Sequence, residues 1–313
     1  MSFSRKDLLG LKDLTNSEME SVLQSATSMK EIITRQHKKL PTLKGFSLVN
    51  LFYESSTRTR ASFELAGKYL GADTINISSS SSSVTKGETL IDTGKTIEAM
   101  GVNAIVIRHP MAGAPELLAK NLNCSILNAG DGFHEHPTQA LLDMFTILEH
   151  KQTLQGLKVA IVGDIHHSRV ARSNIWGLTK MGANVALAGP GTFLDKHHFA
   201  KTGATCHYKV EDALDQADVV MALRVQSERQ GKSLLPSLRE YANMYCINEQ
   251  RLKLAKSDAL LMHPGPINRG IELDGDMADS CQSLINEQVT GGAAIRMALL
   301  YHLSGGVKSG NIA

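Results

Sequence analysis

Residues 52 to 64 read Phe52-Tyr53-Glu54-Ser55-Ser56-Thr57-Arg58-Thr59-Arg60-Ala61-Ser62-Phe63-Glu64. Hydroxyls and guanidinium groups gather where an apolar run, 48–52, gives way to helical spacing. The first N–H groups of a helix lack intrahelical partners, and the macrodipole is positive there. Such an end binds phosphate, and Arg58 adds a two-pronged donor for the same anion. An ordinary N-cap needs one hydroxyl, whereas Ser55, Ser56, Thr57 and Thr59 offer four. The chemistry expected is capture of a phosphate-like anion. Glu54 would repel that anion if it pointed inward, so it is expected to pair with an arginine.

Other reactive residue types carry weaker signals. His134-Glu135-His136 lacks the i, i+4 spacing that sets two imidazoles on one helix face, and no third ligand is evident nearby, so no metal is expected. Asp164, His166 and His167 sit at another strand end and are read as shaping the approach to Arg169. His197-His198 reads as surface. The four cysteines, Cys124, Cys206, Cys246 and Cys281, are far apart and form no CxxC. They are expected to be small buried hydrophobes in a reducing cytoplasm.

The elements that must hold these residues alternate. Strands are predicted at 47–52, 74–77, 104–108, 125–128, 158–162, 184–188, 219–223 and 259–262, with helices over 58–70, 89–100, 115–121, 139–150, 170–181, 210–216 and 283–303. Several strands are continuous apolar runs, the signature of parallel strands covered on both faces. The fold class expected is α/β, with two α/β domains, each a mainly parallel central sheet flanked by helices. The first domain is expected to span residues 1–150 and the second 151–282, with a last helix at about 283–304 packing back on the first. Ser78 to Ser83 is six serines in a row and reads as a mobile loop leading to Lys86, and the tail from Gly305 as frayed.

Composition narrows the classes. The chain has 313 residues, which at roughly 150 per domain suggests two. A 42% hydrophobic content is ample for a buried core. A net charge of +2 argues against a general nucleic-acid binder. No apolar stretch is long enough to span a bilayer, and the first residues show no secretory signal. No G-x-G-x-x-G follows a strand and no Walker A motif is present, which disfavours a nucleotide-binding oxidoreductase.

Ser56-Thr57-Arg58-Thr59-Arg60 resembles the carbamoyl-phosphate motif of the transcarbamoylases. Four further signatures follow in order: Arg108-His109-Pro110, His136-Pro137-Thr138-Gln139-Ala140-Leu141-Leu142-Asp143, Arg224-Val225-Gln226-x-Glu228-Arg229 and His263-Pro264-Gly265-Pro266. The resemblance covers residues 3 to 304, and five motifs in order are specific. The ornithine enzymes carry a Ser-Met-Gly loop and a His-Cys-Leu-Pro motif, both lacking here. Lys86-Gly87-Glu88-Thr89 and Arg224-Val225-Gln226 are instead similar to the aspartate enzymes, whose dicarboxylate substrate calls for cations.

The resemblance implies transfer of a carbamoyl group from carbamoyl phosphate to the amine of L-aspartate, the committed step of de novo pyrimidine synthesis. It assigns carbamoyl phosphate to Ser56, Thr57, Arg58, Thr59, Arg108, His136, Gln139, Gly265 and Pro266, with Arg58, Thr59, Arg108 and His136 catalytic. It assigns L-aspartate to Lys86, Arg169, Arg224 and Gln226, and Lys86 is also counted toward the leaving phosphate. Gly265 stands where some members carry Leu, which matters little if the backbone carbonyl makes the contact. The resemblance further implies an active site in a cleft between the domains and a homotrimer in which Ser82 and Lys86 reach a neighbouring subunit's site. Some relatives assemble with separate regulatory chains or a dihydroorotase-like partner. No cofactor, metal, nucleic-acid or membrane partner is expected. The rival readings are a transcarbamoylase for another amino acid and a non-catalytic homologue that binds or scaffolds.

Overall fold

A computed structural model of the chain describes residues 3, 5–78, 87–226 and 235–305. Ser82, Lys86, the arginine at 229 and the tail beyond 305 lie outside the described residues. The chain divides into two compact units, Met1–Leu142 with Val289–Ala313, and Asp143–Gln288.

The first unit begins with a helix that the periodicity reading does not anticipate, α1 (Asn16–Thr34). A capping box starts it. The Thr15 hydroxyl accepts from the Glu18 N–H at 3.3 Å, and the Glu18 carboxylate accepts from the Thr15 N–H at 2.8 Å. Then follow β1 (Ser47–Phe52), α2 (Thr57–Tyr69), β2 (Asp73–Ser78), α3 (Leu90–Ala99), β3 (Ala104–His109), α4 (Ala114–Asn121), β4 (Ser125–Asp131) and the start of α5 (Pro137–Lys151). The four strands form a parallel sheet ordered β2-β1-β3-β4. Val49, Leu51, Ile105, Ile107 and Ile126 pack on one face with Ile97 of α3, Leu118 of α4 and Leu122 just after it. The alternate residues Leu48 and Ala104 are also buried. Both faces are therefore covered, which is why these strands read as apolar runs rather than as alternating ones.

The second unit carries β5 (Lys158–Val162), α6 (Arg169–Lys180), β6 (Asn184–Ala188), α7 (Lys196–Ala200), β7 (Thr205–His207), α8 (Val210–Leu214), β8 (Val219–Ala222), α9 (Leu238–Tyr245), α10 (Glu249–Leu252), β9 (Leu260–Met262), α11 (Gly275–Ala278) and the start of α12 (Ile285–Leu303). Its sheet is again parallel, ordered β7-β6-β5-β8-β9. The sequence pattern omits β7 because three residues, two of them polar, leave no period to detect. Gly163 follows β5 with φ 134°, and a Cβ there would meet the Leu223 carbonyl oxygen at 2.8 Å. Only glycine lets the carboxyl ends of β5 and β8 approach so closely. These are the two strands that lead to Arg169 and Arg224.

Candidate functional site

In the first unit the carboxyl ends of β1 and β3 lie side by side, with Phe52 registered opposite Arg108. The Tyr53 N–H donates to the Arg108 carbonyl at 2.9 Å, which carries the pairing one residue past the strand. The chain then turns through 53–56 into α2. Ser56 is the N-cap residue, in an extended conformation (φ −158°, ψ 105°), yet its hydroxyl makes no capping bond. An N-cap serine ordinarily accepts from the N2 or N3 amide. Among the described residues no side chain caps this helix end, which begins at Thr57 and the exposed Arg58. Thr59 is buried at 6% exposure.

Arg108 Nε donates to Glu54 Oε2 at 3.1 Å, and its Nη1 to the Ala129 carbonyl at 3.3 Å. The carboxylate is thus paired with an arginine, as its charge beside an anion motif requires, and the arginine is Arg108 rather than one of its chain neighbours. Both side chains are largely buried, at 15% and 20% exposure. The pair fixes the guanidinium plane by its Nε edge.

His136 is 4% exposed and immediately precedes α5. Its carbonyl accepts from the Gln139 and Ala140 amides, at 3.0 and 3.3 Å. Pro137 opens the helix with its fixed φ, in a position where a missing N–H costs nothing. Gln139 lies one turn on and is buried at 8% exposure. The loop before His136 hangs on Asp131, which is fully buried. Asp131 Oδ1 accepts from Asn128 Nδ2 at 2.8 Å and from the Glu135 N–H at 3.1 Å, and Oδ2 accepts from the Gly113 N–H at 2.8 Å. Glu135 in turn accepts from the Leu11 N–H at 2.8 Å. The loop carrying His136 is therefore tied to β4, to α4 and to the N-terminal segment.

Among the described residues one group could hold a metal ion: Glu116, Asp131 and His134, whose ligand atoms lie within 4.8 Å of one another. The sequence reading weighed His134 with His136. The structure instead brings His134 Nδ1 to 3.1 Å from Asp131 and 3.7 Å from Glu116. The imidazole lies between two acids. Its hydrogen bond to Asp131 raises its pKa above the usual 6.5. Burial works to raise Asp131, but the His134 contact and the Gly113 and Asn128 donors hold it below its ordinary range.

In the second unit Arg169 is the first residue of α6 and is 2% exposed. Ser168 caps that helix, its hydroxyl accepting from the Ala171 N–H at 3.1 Å. Asp164 and His167, read in the sequence as shaping the approach to Arg169, form a hydrogen-bonded pair at 2.7 Å in the same turn. Arg224 and Gln226 follow β8 and are half-buried. Gly265 and Pro266 follow β9 through His263, and the Gly265 N–H donates to His263 Nδ1 at 2.8 Å. His197 is exposed. Of the cysteines, Cys124 and Cys246 are buried and Cys206 is intermediate, but Cys281 is exposed, against the expectation of burial throughout. Burial pushes the Cys124 and Cys246 thiols up to about 11, which disfavours the reactive thiolate form.

Two groups escaped the sequence reading. Arg296 on α12 is 3% exposed, with its guanidinium 5.2 Å from the Phe63 ring of α2 and Nη2 3.4 Å from Thr138 Oγ1 of α5. It ties the phosphate-motif helix to the helix that follows His136. A buried arginine in an apolar helix is the signal that could have found it. The second group is a buried polar chain: Asp143, Asn174, His263, Glu272 and Gln288. An aspartate within Ala140-Leu141-Leu142-Asp143-Met144-Phe145 was its trace in the sequence.

Residues 6–149 match the family described as aspartate/ornithine carbamoyltransferase, carbamoyl-P binding domain, and residues 155–303 its Asp/Orn binding domain. The chain is 72% identical over 313 residues to the aspartate carbamoyltransferase catalytic subunit of Natranaerobius thermophilus, covering 100% of both. It is 61% identical over 304 residues to that of Acetivibrio thermocellus, covering 97% of each. Among solved structures it is similar to aspartate transcarbamoylase from Trypanosoma cruzi in complex with carbamoyl phosphate and aspartate (TM-score 0.86, 28% identity, 96% and 97% of the chains). It is equally similar to ornithine carbamoyltransferase from Pyrococcus furiosus (TM-score 0.87, 31% identity, 98% and 100%). Backbone likeness thus does not separate the two substrates, whereas the 72% and 61% identities are to aspartate carbamoyltransferase catalytic subunits.

Proposed function

The chain belongs to the aspartate/ornithine carbamoyltransferase family, and from that premise we infer that it transfers the carbamoyl group of carbamoyl phosphate to the amine of L-aspartate, giving N-carbamoyl-L-aspartate and phosphate. One observation carries the choice of aspartate: identity of 72% over the full length to an aspartate carbamoyltransferase catalytic subunit. The lack of a Ser-Met-Gly loop and of His-Cys-Leu-Pro agrees with it.

The residue roles in this reading follow from charge flow. The aspartate amine attacks the carbonyl carbon, a C–N bond forms, the C–O bond to phosphate breaks, and the proton lost by the amine passes to the departing phosphate. Phosphate leaves with increased negative charge, which the amides at the start of α2 with Ser56, Thr57, Arg58 and Thr59 neutralise. The carbonyl oxygen becomes negative in the tetrahedral intermediate and is met by Thr59, Arg108 and His136. The carbamoyl NH₂ donates to Gln139 and to the carbonyls of Gly265 and Pro266. Arg169 and Arg224, with Gln226, take the two carboxylates of aspartate. Lys86 and Ser82 serve the site of a neighbouring subunit in a homotrimer. No protein nucleophile or cofactor is required, because both reactants are bound and oriented.

No described helix is long and apolar enough to cross a membrane. The reading places the chain in a reducing cytoplasm, open to association with regulatory chains or a dihydroorotase-like partner. Activity of the purified chain with carbamoyl phosphate and a panel of amino acids tests the function. Turnover with aspartate and none with ornithine is expected, and the reverse would sink it.

A further inference from the structure

The root of the Gly265–Pro266 turn is held by side chains to which the reaction gives no role. β9 lies at the edge of its sheet, and the segment 282–284 runs along its outer side: the Leu261 N–H donates to the Gln282 carbonyl at 2.8 Å and the Leu284 N–H to the Leu261 carbonyl at 2.9 Å. The segment then turns into α12, where the Leu284 carbonyl accepts from the Gln288 N–H at 2.9 Å. The next outward amide of the edge, that of His263, donates instead to Gln288 Oε1 at 3.0 Å. Gln288 Nε2 donates to Asp143 Oδ1 at 2.7 Å, and Asn174 Nδ2 to Asp143 Oδ2 at 2.8 Å. Asp143 and Asn174 are 0% exposed, Gln288 3% and His263 1%.

The arrangement admits one orientation of the amide. A carboxylate accepts only, so Gln288 must turn its NH₂ toward Asp143 and its oxygen toward His263. Past His263 the order continues: Nδ1 accepts from the Gly265 N–H, which leaves Nε2–H to donate to Glu272 Oε1 at 3.2 Å, and Glu272 also accepts from the Asn268 N–H at 2.6 Å. Asp143, Asn174, Gln288, His263 and Glu272 are all buried, and each fixes the next, so a displacement at Gln288 is passed on to the root of the turn rather than absorbed by water.

We propose that Gln288, oriented by Asp143, is a positioning residue for recognition of the carbamoyl amide: it holds the main chain at His263 so that the Gly265 and Pro266 carbonyls meet the carbamoyl NH₂. The proposal rests on the reading that those carbonyls accept from that NH₂.

The test compares three ligands on the full chain. Carbamoyl phosphate carries the NH₂, acetyl phosphate replaces it with a methyl group, and inorganic phosphate lacks the acyl part. Gln288→Met removes both hydrogen bonds at nearly constant volume. It is expected to reduce the preference for carbamoyl over acetyl phosphate about tenfold, the worth of one net hydrogen bond, with the affinity for inorganic phosphate unchanged. Gln288→Asn is too short to bridge both partners and is expected to do the same, which keeps the test available if the methionine variant does not fold. Asn248→Ala removes the N-cap of α10 in the same unit. It is expected to lower the melting temperature and keep the preference. An unchanged preference in a folded Gln288 variant, or an equal loss in Asn248→Ala, overturns the proposal. A wild-type chain with no preference for carbamoyl over acetyl phosphate instead overturns the reading of the two carbonyls, and the proposal with it.

Discussion

Glu54 Oε2 lies 3.1 Å from Arg108 Nε across the carboxyl ends of two adjacent parallel strands. The carboxylate orients the guanidinium, and its charge also opposes any anion that Arg108 binds. Glu54→Gln keeps the shape and removes that opposition. Inorganic phosphate is expected to bind several-fold more tightly at low salt, since a charge pair near the surface is worth a few kcal/mol before screening. Turnover is expected to fall about tenfold, because Arg108 loses its charged anchor. Phosphate inhibition and kcat measured at two ionic strengths check this. Weaker phosphate binding would show that Glu54 acts by orientation alone.

Two N-cap serines should respond in opposite ways. Ser168 caps α6 through its hydroxyl, so Ser168→Ala is expected to lose about 1 kcal/mol of stability. Ser56 makes no such bond. Ser56→Ala should leave the denaturation midpoint nearly unchanged and weaken carbamoyl phosphate binding. Urea melts and substrate titration of both variants separate the roles, and a destabilised Ser56→Ala would return Ser56 to ordinary capping.

Arg58 is exposed at the start of α2. Arg58→Ala should therefore fold normally and lose about a thousandfold or more in turnover, as removal of a preorganised charge donor implies. Mixing it with inactive Lys86→Ala chains should restore part of the activity if sites are completed by neighbouring subunits. Oligomers shown to contain both chains yet lacking activity would mean that each chain builds its own site.

The His134 and Asp131 pair predicts a pH dependence. The folded pKa of His134 is raised above 6.5, chiefly by its hydrogen bond to Asp131. Its stabilisation is complete below the unfolded value and is lost as pH rises through the folded one. Asp131 is held below 3.8 despite its burial, so its share is present above that value and lost as pH falls through the folded pKa. The melting temperature should decline on the alkaline side of pH 6.5 in the wild type and lose that part of the decline in His134→Asn. Parallel curves would assign the slope to other groups.

Much of this protein is local and therefore legible in the chain itself. Apolar runs such as Ala104–Ile107 reveal strands covered on both faces, and the crowd of hydroxyls from Ser55 to Thr59 marks a helix start built for an anion. Both signals need only near neighbours, because a strand's burial and a helix's end are set within a few residues. The long helix α1 is missing from the sequence reading, although Met19, Val22, Leu23 and Ala26 keep helical spacing on its buried face and Thr15 with Glu18 marks its start.

What the chain alone did not decide is partnership. Nothing near Glu54 selects Arg108 over Arg58 or Arg60. That choice is made by the register of β1 with β3, which sets Arg108 opposite Phe52. Nor does a glutamine at 288 announce an aspartate 145 residues away, or an amide at His263 beyond the end of an edge strand. Hydrogen bonds are short and directional, so they are specified only once the topology has brought distant segments within about 3 Å of each other. Hydrophobic pattern determines which elements form and which faces they bury, whereas the tertiary structure decides which buried polar group answers which.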